Sequence, residues 1–310
     1  MKAIKHIEAL KIAQFDGHTG AIYTLERAAE PHLFYSCSDD NMVVQWNLQN
    51  HEDNHAVVRI PTKAFALKFL PDKNLLLVGN YTGGIHIIDL NEKKEIKLLQ
   101  VHKQIIFDIQ YLPSKECFLA ASQDGSFSVW SAKDFSLIKV NQLSNLKLRC
   151  IELYVERNEA AIGCEDGTVR IIELDTFNEI KTLKGHDEGF SVNAAIYHPN
   201  GNTLITGSRD AHLNIWDVKN EYKLLDRIPA HNYSIYSIAF IDNGRLFATG
   251  SRDKTIKIWD SESTELLLRI DRKLEGHKNS VNKILWSSYN DILLSTGDDR
   301  TIKAWNILEV

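Results

Sequence analysis

Two residue patterns in this chain have types and spacings that could do chemistry. His51-Glu52-Asp53-Asn54-His55 reads H-E-x-x-H. On a helix that spacing sets two imidazoles on one face to hold zinc beside a glutamate base. Here it lies between Trp46 and the apolar run at 56–61, within NLQNHEDNH. Asn- and Asp-rich segments of this kind make hairpin turns, so the motif is read as a turn that holds no metal. The second pattern pairs Asp40 with His18, Asp124 with His102, Asp210 with His186, Asp253 with His231 and Asp299 with His277, each with Ser or Thr nearby. One such set would suggest a hydrolytic triad. An active site is normally unique, so five copies argue for a scaffold. There is no P-loop, dinucleotide fingerprint or G-x-S-x-G, and neither enzymatic activity nor a cofactor is expected.

The elements that carry these sets repeat along the whole chain. GSRDKTIKIWD (250–260), GSRDAHLNIWD (207–217), GDDRTIKAWN (297–306), SQDGSFSVWS (122–131) and SDDNMVVQWN (38–47) are five copies of one unit. CEDGTVRIIE (164–173) and NYTGGIHIID (80–89) are two weaker ones. The anchor positions are Trp46, Ile88, Trp130, Ile172, Trp216, Trp259 and Trp305, at spacings of 42, 42, 42, 44, 43 and 46. Each unit holds four short runs rich in β-branched or aromatic residues, bounded by Asn, Asp, Gly or Ser, as strands are. About 42 residues in four strands is the length of one propeller blade.

These residues resemble the WD-repeat (WD40) family over essentially the full chain. The family's Gly-His pair stands at Gly17-His18, Gly185-His186 and Gly276-His277, and is degraded to Val101-His102 and Ala230-His231. Blades 2 and 4 lack it. The resemblance implies an all-β, seven-bladed β-propeller with four antiparallel strands per blade, and residues 1–310 are read as one such unit. It also implies a role for the repeated sets: the aspartate orients the histidine, which meets a Ser or Thr, which meets the indole N–H of Trp46, Trp130, Trp216, Trp259 or Trp305. The expected hydroxyls are Ser36 or Ser38, Ser122, Thr206 or Ser208, Thr249 or Ser251, and Ser295. Blades 2 and 4, with Thr82 in the aspartate position and Asp166 alone, are expected to rely on apolar packing through Ile88 and Ile172. The chain ends five residues after Trp305, so residues 7–15 are expected to supply the outer strand of blade 7 and close the ring.

Propellers of this family bind through the wide rim of the central channel, and the resemblance places three rim positions in every blade. Twenty-three residues before the anchor lie Tyr23, Phe65, Phe107, Arg149, Asn193, Tyr236 and Asn282. Seven before it lie Asp39, Tyr81, Gln123, Glu165, Arg209, Arg252 and Asp298, and twenty-five before it lie Lys63, Ile105 and Lys147 among others. Blades 1 to 3 thus present aromatic residues (Tyr23, Phe65, Tyr81, Phe107) with Ile105. Blades 4 to 6 present Lys147, Arg149, Arg209 and Arg252, and blades 7 and 1 present Asp298 and Asp39. Aromatic residues and arginine are the usual anchors of protein interfaces.

The expected function is therefore a protein-interaction scaffold or adaptor, a subunit of a larger complex. It would take a partner segment with an apolar or aromatic side chain on blades 1 to 3 and acidic or phosphorylated groups facing blades 4 to 6. A net charge of −5 disfavours a nucleic-acid partner, although the basic arc keeps that reading as an alternative. An enzyme or small-molecule binder at the channel is the other alternative. It would need a non-repeated polar cluster there, and none is apparent in the sequence. Cys37, Cys117, Cys150 and Cys164 form no C-x-x-C pair, which suits a reducing compartment. No signal peptide and no apolar run long enough to span a membrane is read. The expected location is cytoplasmic, with the nucleus as the eukaryotic alternative.

Overall fold

A computed structural model describes residues 6–309. Those residues form seven four-stranded antiparallel sheets arranged as a ring, with only short 3-10 turns besides. The innermost strands, Ile22–Arg27, Ala64–Leu70, Ile106–Leu112, Leu148–Tyr154, Val192–Tyr197, Ile235–Ile241 and Val281–Ser287, line the channel. The second strands are buried almost end to end, as in Leu75–Asn80 (LLLVGN) and Cys117–Ser122 (CFLAAS). Neighbouring blades cover both of their faces, so these strands read as apolar runs without alternation. Outer strands such as Lys94–Gln100 are mostly exposed. The core is a circle of inter-blade clusters, such as the one that joins Leu77 and Ile85 of blade 2 to Phe118 and Trp130 of blade 3.

The ring closes as the sequence suggests. The N-terminal strand Ile7–Phe15 pairs antiparallel with the C-terminal strand Ile302–Glu309, from Ile7 opposite Glu309 to Phe15 opposite Ile302. Ile12 is an extra residue, bulged between Lys11 and Ala13. Ile7 and Phe15 are buried at the two ends of this strand. Phe15 packs edge-on against Phe34 and Trp46 of blade 1, with ring centroids 5.5 and 5.7 Å apart. The N-terminal strand therefore fastens blade 7 and also seals it to blade 1.

Residues 51–55 form an exposed turn running into the outer strand His55–Arg59, which starts one residue earlier than expected. His55 Nε2 lies 2.8 Å from Asp53 Oδ1. No group of three or more His, Cys, Asp or Glu side chains converges as metal ligands would among the described residues.

Candidate interaction rim

The repeated polar sets come together inside the blades. In blade 1 His18 Nδ1 donates to Asp40 (2.8 Å), Nε2 faces Ser36 Oγ (2.7 Å), and Trp46 Nε1 donates to the same oxygen (2.7 Å). The aspartate can only accept, so the proton sits on Nδ1 and Nε2 accepts from the hydroxyl. The same chain runs through Asp210, His186, Thr206 and Trp216, through Asp253, His231, Thr249 and Trp259, and through Asp299, His277, Ser295 and Trp305. Burial alone would raise the carboxyls of Asp124 and Asp210, but hydrogen bonds led by His102 and His186 bring them down to about 2. The imidazoles of His18 and His231 move down because burial outweighs the aspartate beside each.

Three expectations change. In blade 3 the hydroxyl is Ser128, 2.8 Å from His102 Nε2 and 2.8 Å from Trp130 Nε1, and not Ser122. The position that carries the hydroxyl in the other four blades is Ala120 here, and Ser128 lies directly opposite it in the strand pairing. The hydroxyl has moved across the ladder. Ser122 instead accepts from the Asp124 N–H and holds the turn. Blades 2 and 4 do not rely on apolar packing alone. At the place equivalent to Ser128, blade 2 buries His86 between Asn80 (2.9 Å) and Glu95 (2.9 Å). Blade 4 places Arg170 there, bonded to Asp166, Thr168 and Glu179. A reading keyed to positions ten and twenty-eight before the anchor misses both.

The rim owes its form to a bulge repeated in every blade. Each innermost strand slips register by one residue against its neighbour, as between Ile22 and Thr24 or between Ala64 and Ala66. The extra residues are Tyr23, Phe65, Phe107, Arg149, Asn193, Tyr236 and Asn282. A bulge re-aims a side chain out of the ladder, and all seven point into one cavity of ≈ 440 Å³ at the channel mouth. The turn residues sit beside them because their N–H groups donate to the loop carbonyls: Asp39 to Ala21, Tyr81 to Lys63, Gln123 to Ile105, Glu165 to Lys147, Arg209 to Ser191, Arg252 to Ser234 and Asp298 to Ser280, all at 2.8–3.1 Å.

The rim side chains form a connected belt. Tyr23 stacks on Phe65 at 4.3 Å, Phe65 meets Phe107 edge-on and also Tyr81, and the Arg149 guanidinium lies 3.9 Å over Phe107. Arg149 Nε donates to Asn193 (3.2 Å), and Asn282 donates to Asp298 (2.8 Å). Asp39 accepts from the Tyr23 hydroxyl and from Lys63. Burial, and then Asp39, push the Tyr23 phenol above its ordinary range. Lys147 is paired with Glu165 at 2.9 Å. Ile105 is half-buried, and Arg209, Arg252 and Tyr81 are exposed. The aromatics of blades 1 to 3 therefore form a largely self-packed wall, while the two later arginines stand free of acidic partners among the described residues.

The channel also contains what the sequence reading did not see, a polar cluster with no repeat. Asp108 and Glu152 on innermost strands face Lys68 and Lys283 on others. Asp108 accepts the N–H of Ile109 (2.9 Å) and, across the blade boundary, of Ile151 (2.8 Å). Burial, and then the charge of Asp108, push Glu152 up to about 7. The signal was present as charged residues inside apolar runs, Asp108 in IFDIQYL and Arg149 with Glu152 in LRCIELY.

The family model described as nucleolar protein 10-like, N-terminal domain matches residues 39–309, and the WD domain, G-beta repeat model matches residues 10–47. The guanine nucleotide-binding protein subunit beta of Zea mays is 24% identical over 311 residues, which cover 93% of this chain and 81% of that protein. Pre-mRNA-processing factor 19 of Bos taurus is 26% identical over 176 residues, which cover 56% of this chain and 35% of that protein. The solved WD40 β-propeller domain of Doa1 superposes with a TM-score of 0.83 at 19% identity, covering 96% of this chain and 97% of that one, a likeness of fold.

Proposed function

The chain belongs to the nucleolar protein 10-like N-terminal domain family of WD-repeat β-propellers, and from that premise we propose that residues 1–310 form one propeller that works as a protein-interaction platform, by binding rather than catalysis. The observation that carries this reading is the ring of seven bulged residues opening on one cavity. Every blade carries the bulge, whereas Tyr23, Phe65, Phe107 and Arg149 stand on it in four adjoining blades only. Asn193 and Asn282 occupy the same place in blades 5 and 7 without loss of the fold. A wall of three aromatics ending in a stacked guanidinium is the composition of an interface hot spot. It suits an apolar side chain of a partner segment lodged at the mouth, with acidic or phosphorylated groups toward blades 4 to 6. One relative is named as a subunit, which favours work within a larger assembly. All four cysteines are buried and free. That suits the reducing interior of the cytoplasm or nucleus, and the nucleolar name of the family favours the nucleus.

The test is capture of partners by the tagged full chain from cells that express it, beside a Tyr23→Ala/Phe107→Ala variant. Partners that the variant loses while its melting temperature holds would establish the mouth as the site. Retention of the same partners by the variant would remove the function from this rim.

A further inference from the structure

Blades 5 and 6 repeat a pairing that no other blade has. The residue twenty-six before the anchor is Phe190 in blade 5 and Tyr233 in blade 6, and the turn residue seven before it is Arg209 and Arg252. Blade 4 has Leu146 with Glu165 in these places, and blade 1 has Gly20 with Asp39. Phe190 is 42% and Tyr233 60% exposed, outside the self-packed wall of blades 1 to 3. Both are tied down at the backbone. Ser208 Oγ donates to the Phe190 carbonyl (3.0 Å) and Ser251 Oγ to the Tyr233 carbonyl (3.1 Å). The N–H groups of Arg209 and Arg252 tie each turn to the adjoining loop. The Arg209 guanidinium lies 5.9 Å from the Phe190 ring.

We propose that these two aromatic–arginine pairs are tandem docking points for an extended acidic peptide segment, with one apolar side chain laid on each ring and a carboxylate or phosphate on each guanidinium. The proposal rests on the platform reading of the same face and adds two apolar anchor points, on Phe190 and Tyr233, as a second contact zone. Charge complementarity carries it. The nearby acids are already engaged, Asp187 by Arg227 (2.7 Å), Asp210 by His186 and Asp253 by His231. Neither Arg209 nor Arg252 has a side-chain acceptor among the described residues. An exposed aromatic ring beside an unpaired guanidinium offers a partner both an apolar anchor and a forked anion site. Glu188, exposed in the Phe190 loop, works against a long polyanion and favours a short segment with apolar anchors. A nucleic-acid strand, with bases on the rings and phosphates on the arginines, is the competing occupant.

The experiment is fluorescence anisotropy with the full chain and three labelled probes: 14-residue peptides carrying two leucines among aspartates at varied separation, the same peptides with lysine for aspartate, and an oligouridine of matching length. The acidic peptides should bind and the lysine peptides should not. Arg209→Glu/Arg252→Glu and Phe190→Ala/Tyr233→Ala should each weaken binding about tenfold or more. Arg209→Lys/Arg252→Lys should fall between, because lysine keeps the charge and loses the fork. Equal binding by wild type and variants, or no binding of the acidic peptides, would overturn the proposal. Tighter binding of oligouridine, lost in the same variants, would overturn it in favour of a nucleic-acid surface. Loss of cellular partners by the Tyr23→Ala/Phe107→Ala variant alone, with these peptides inactive, would leave the platform standing and this zone refuted.

Discussion

Blade 3 keeps its network intact although its hydroxyl has changed strands. Ser128 is fully buried and serves both His102 and Trp130. Ser128→Ala would leave the imidazole Nε2 and the indole N–H without a protein partner, at a cost of about 1–3 kcal/mol for buried groups left unpaired. Ser122→Ala should cost less, since Ser122 bonds only to turn backbone. Ala120 faces Ser128 across the ladder. Ala120→Ser in the Ser128→Ala background should therefore restore most of the loss, by returning the hydroxyl to the place it has in four other blades. Urea denaturation of the four proteins checks this, and a Ser122→Ala protein less stable than Ser128→Ala would refute it. The aspartate and histidine of this set were legible because the aspartate stands six residues before the anchor tryptophan in all five such blades and the histidine twenty-eight before it in four of them. The hydroxyl was not legible, because two residues opposite each other in a ladder can supply the same atom. His86 and Arg170 were hidden for the same reason.

Among the strands, the N-terminal one has a weight beyond its length. Ile7–Phe15 covers the edge of the C-terminal strand, so no outer edge of blade 7 is left without its fourth strand. It buries Phe15 against blade 1, and Lys11 reaches Glu275 in the turn after blade 6. Removing residues 1–16 would expose that edge, open the blade 7–blade 1 cluster and deprive blade 7 of a quarter of its sheet. The loss should be global, because each blade is held by its two neighbours, and the melting transition should shift down as a whole. Phe15→Ala alone should cost about 3–5 kcal/mol, the range for a large buried side chain. Differential scanning calorimetry of the truncated chain decides the matter, and an undiminished cooperative melt would refute the closure as a source of stability. This strand could be read from the sequence because the last unit was one strand short and the first began with a spare. The rim bulges could not, since one extra residue inside a strand leaves the hydrophobic pattern readable in either register.

For the whole molecule, buried ionisable groups pull stability in opposite directions as pH changes. The aspartates of the networks have folded values below their unfolded ones, about 2 for Asp124 and Asp210 against ~4 in an unfolded chain. Their stabilisation is present above ~4 and is lost as pH falls toward the folded value. His18 and His231 are also lowered on folding, so the unfolded chain takes up their protons first and stability declines as pH drops below ~6.5. Glu152 acts with the other sign. Its carboxyl rises to about 7 in the channel from ~4.3 unfolded. Its favourable contribution is full below ~4.3 and disappears as pH rises through about 7, where the fold must hold a half-buried carboxylate inside the channel near Asp108. The histidine and glutamate contributions therefore oppose each other between pH 4.3 and 7 and flatten the wild-type profile there. Glu152→Gln removes only the second. The variant should match wild type at pH 4.5, exceed it in denaturation midpoint at pH 8, and show a steeper acid decline between pH 6.5 and 5. If Glu152→Gln were instead the less stable protein at pH 8, Glu152 would have to be working as a carboxylate paired with Lys68 and Lys283, and the channel would be held together by charge rather than strained by it.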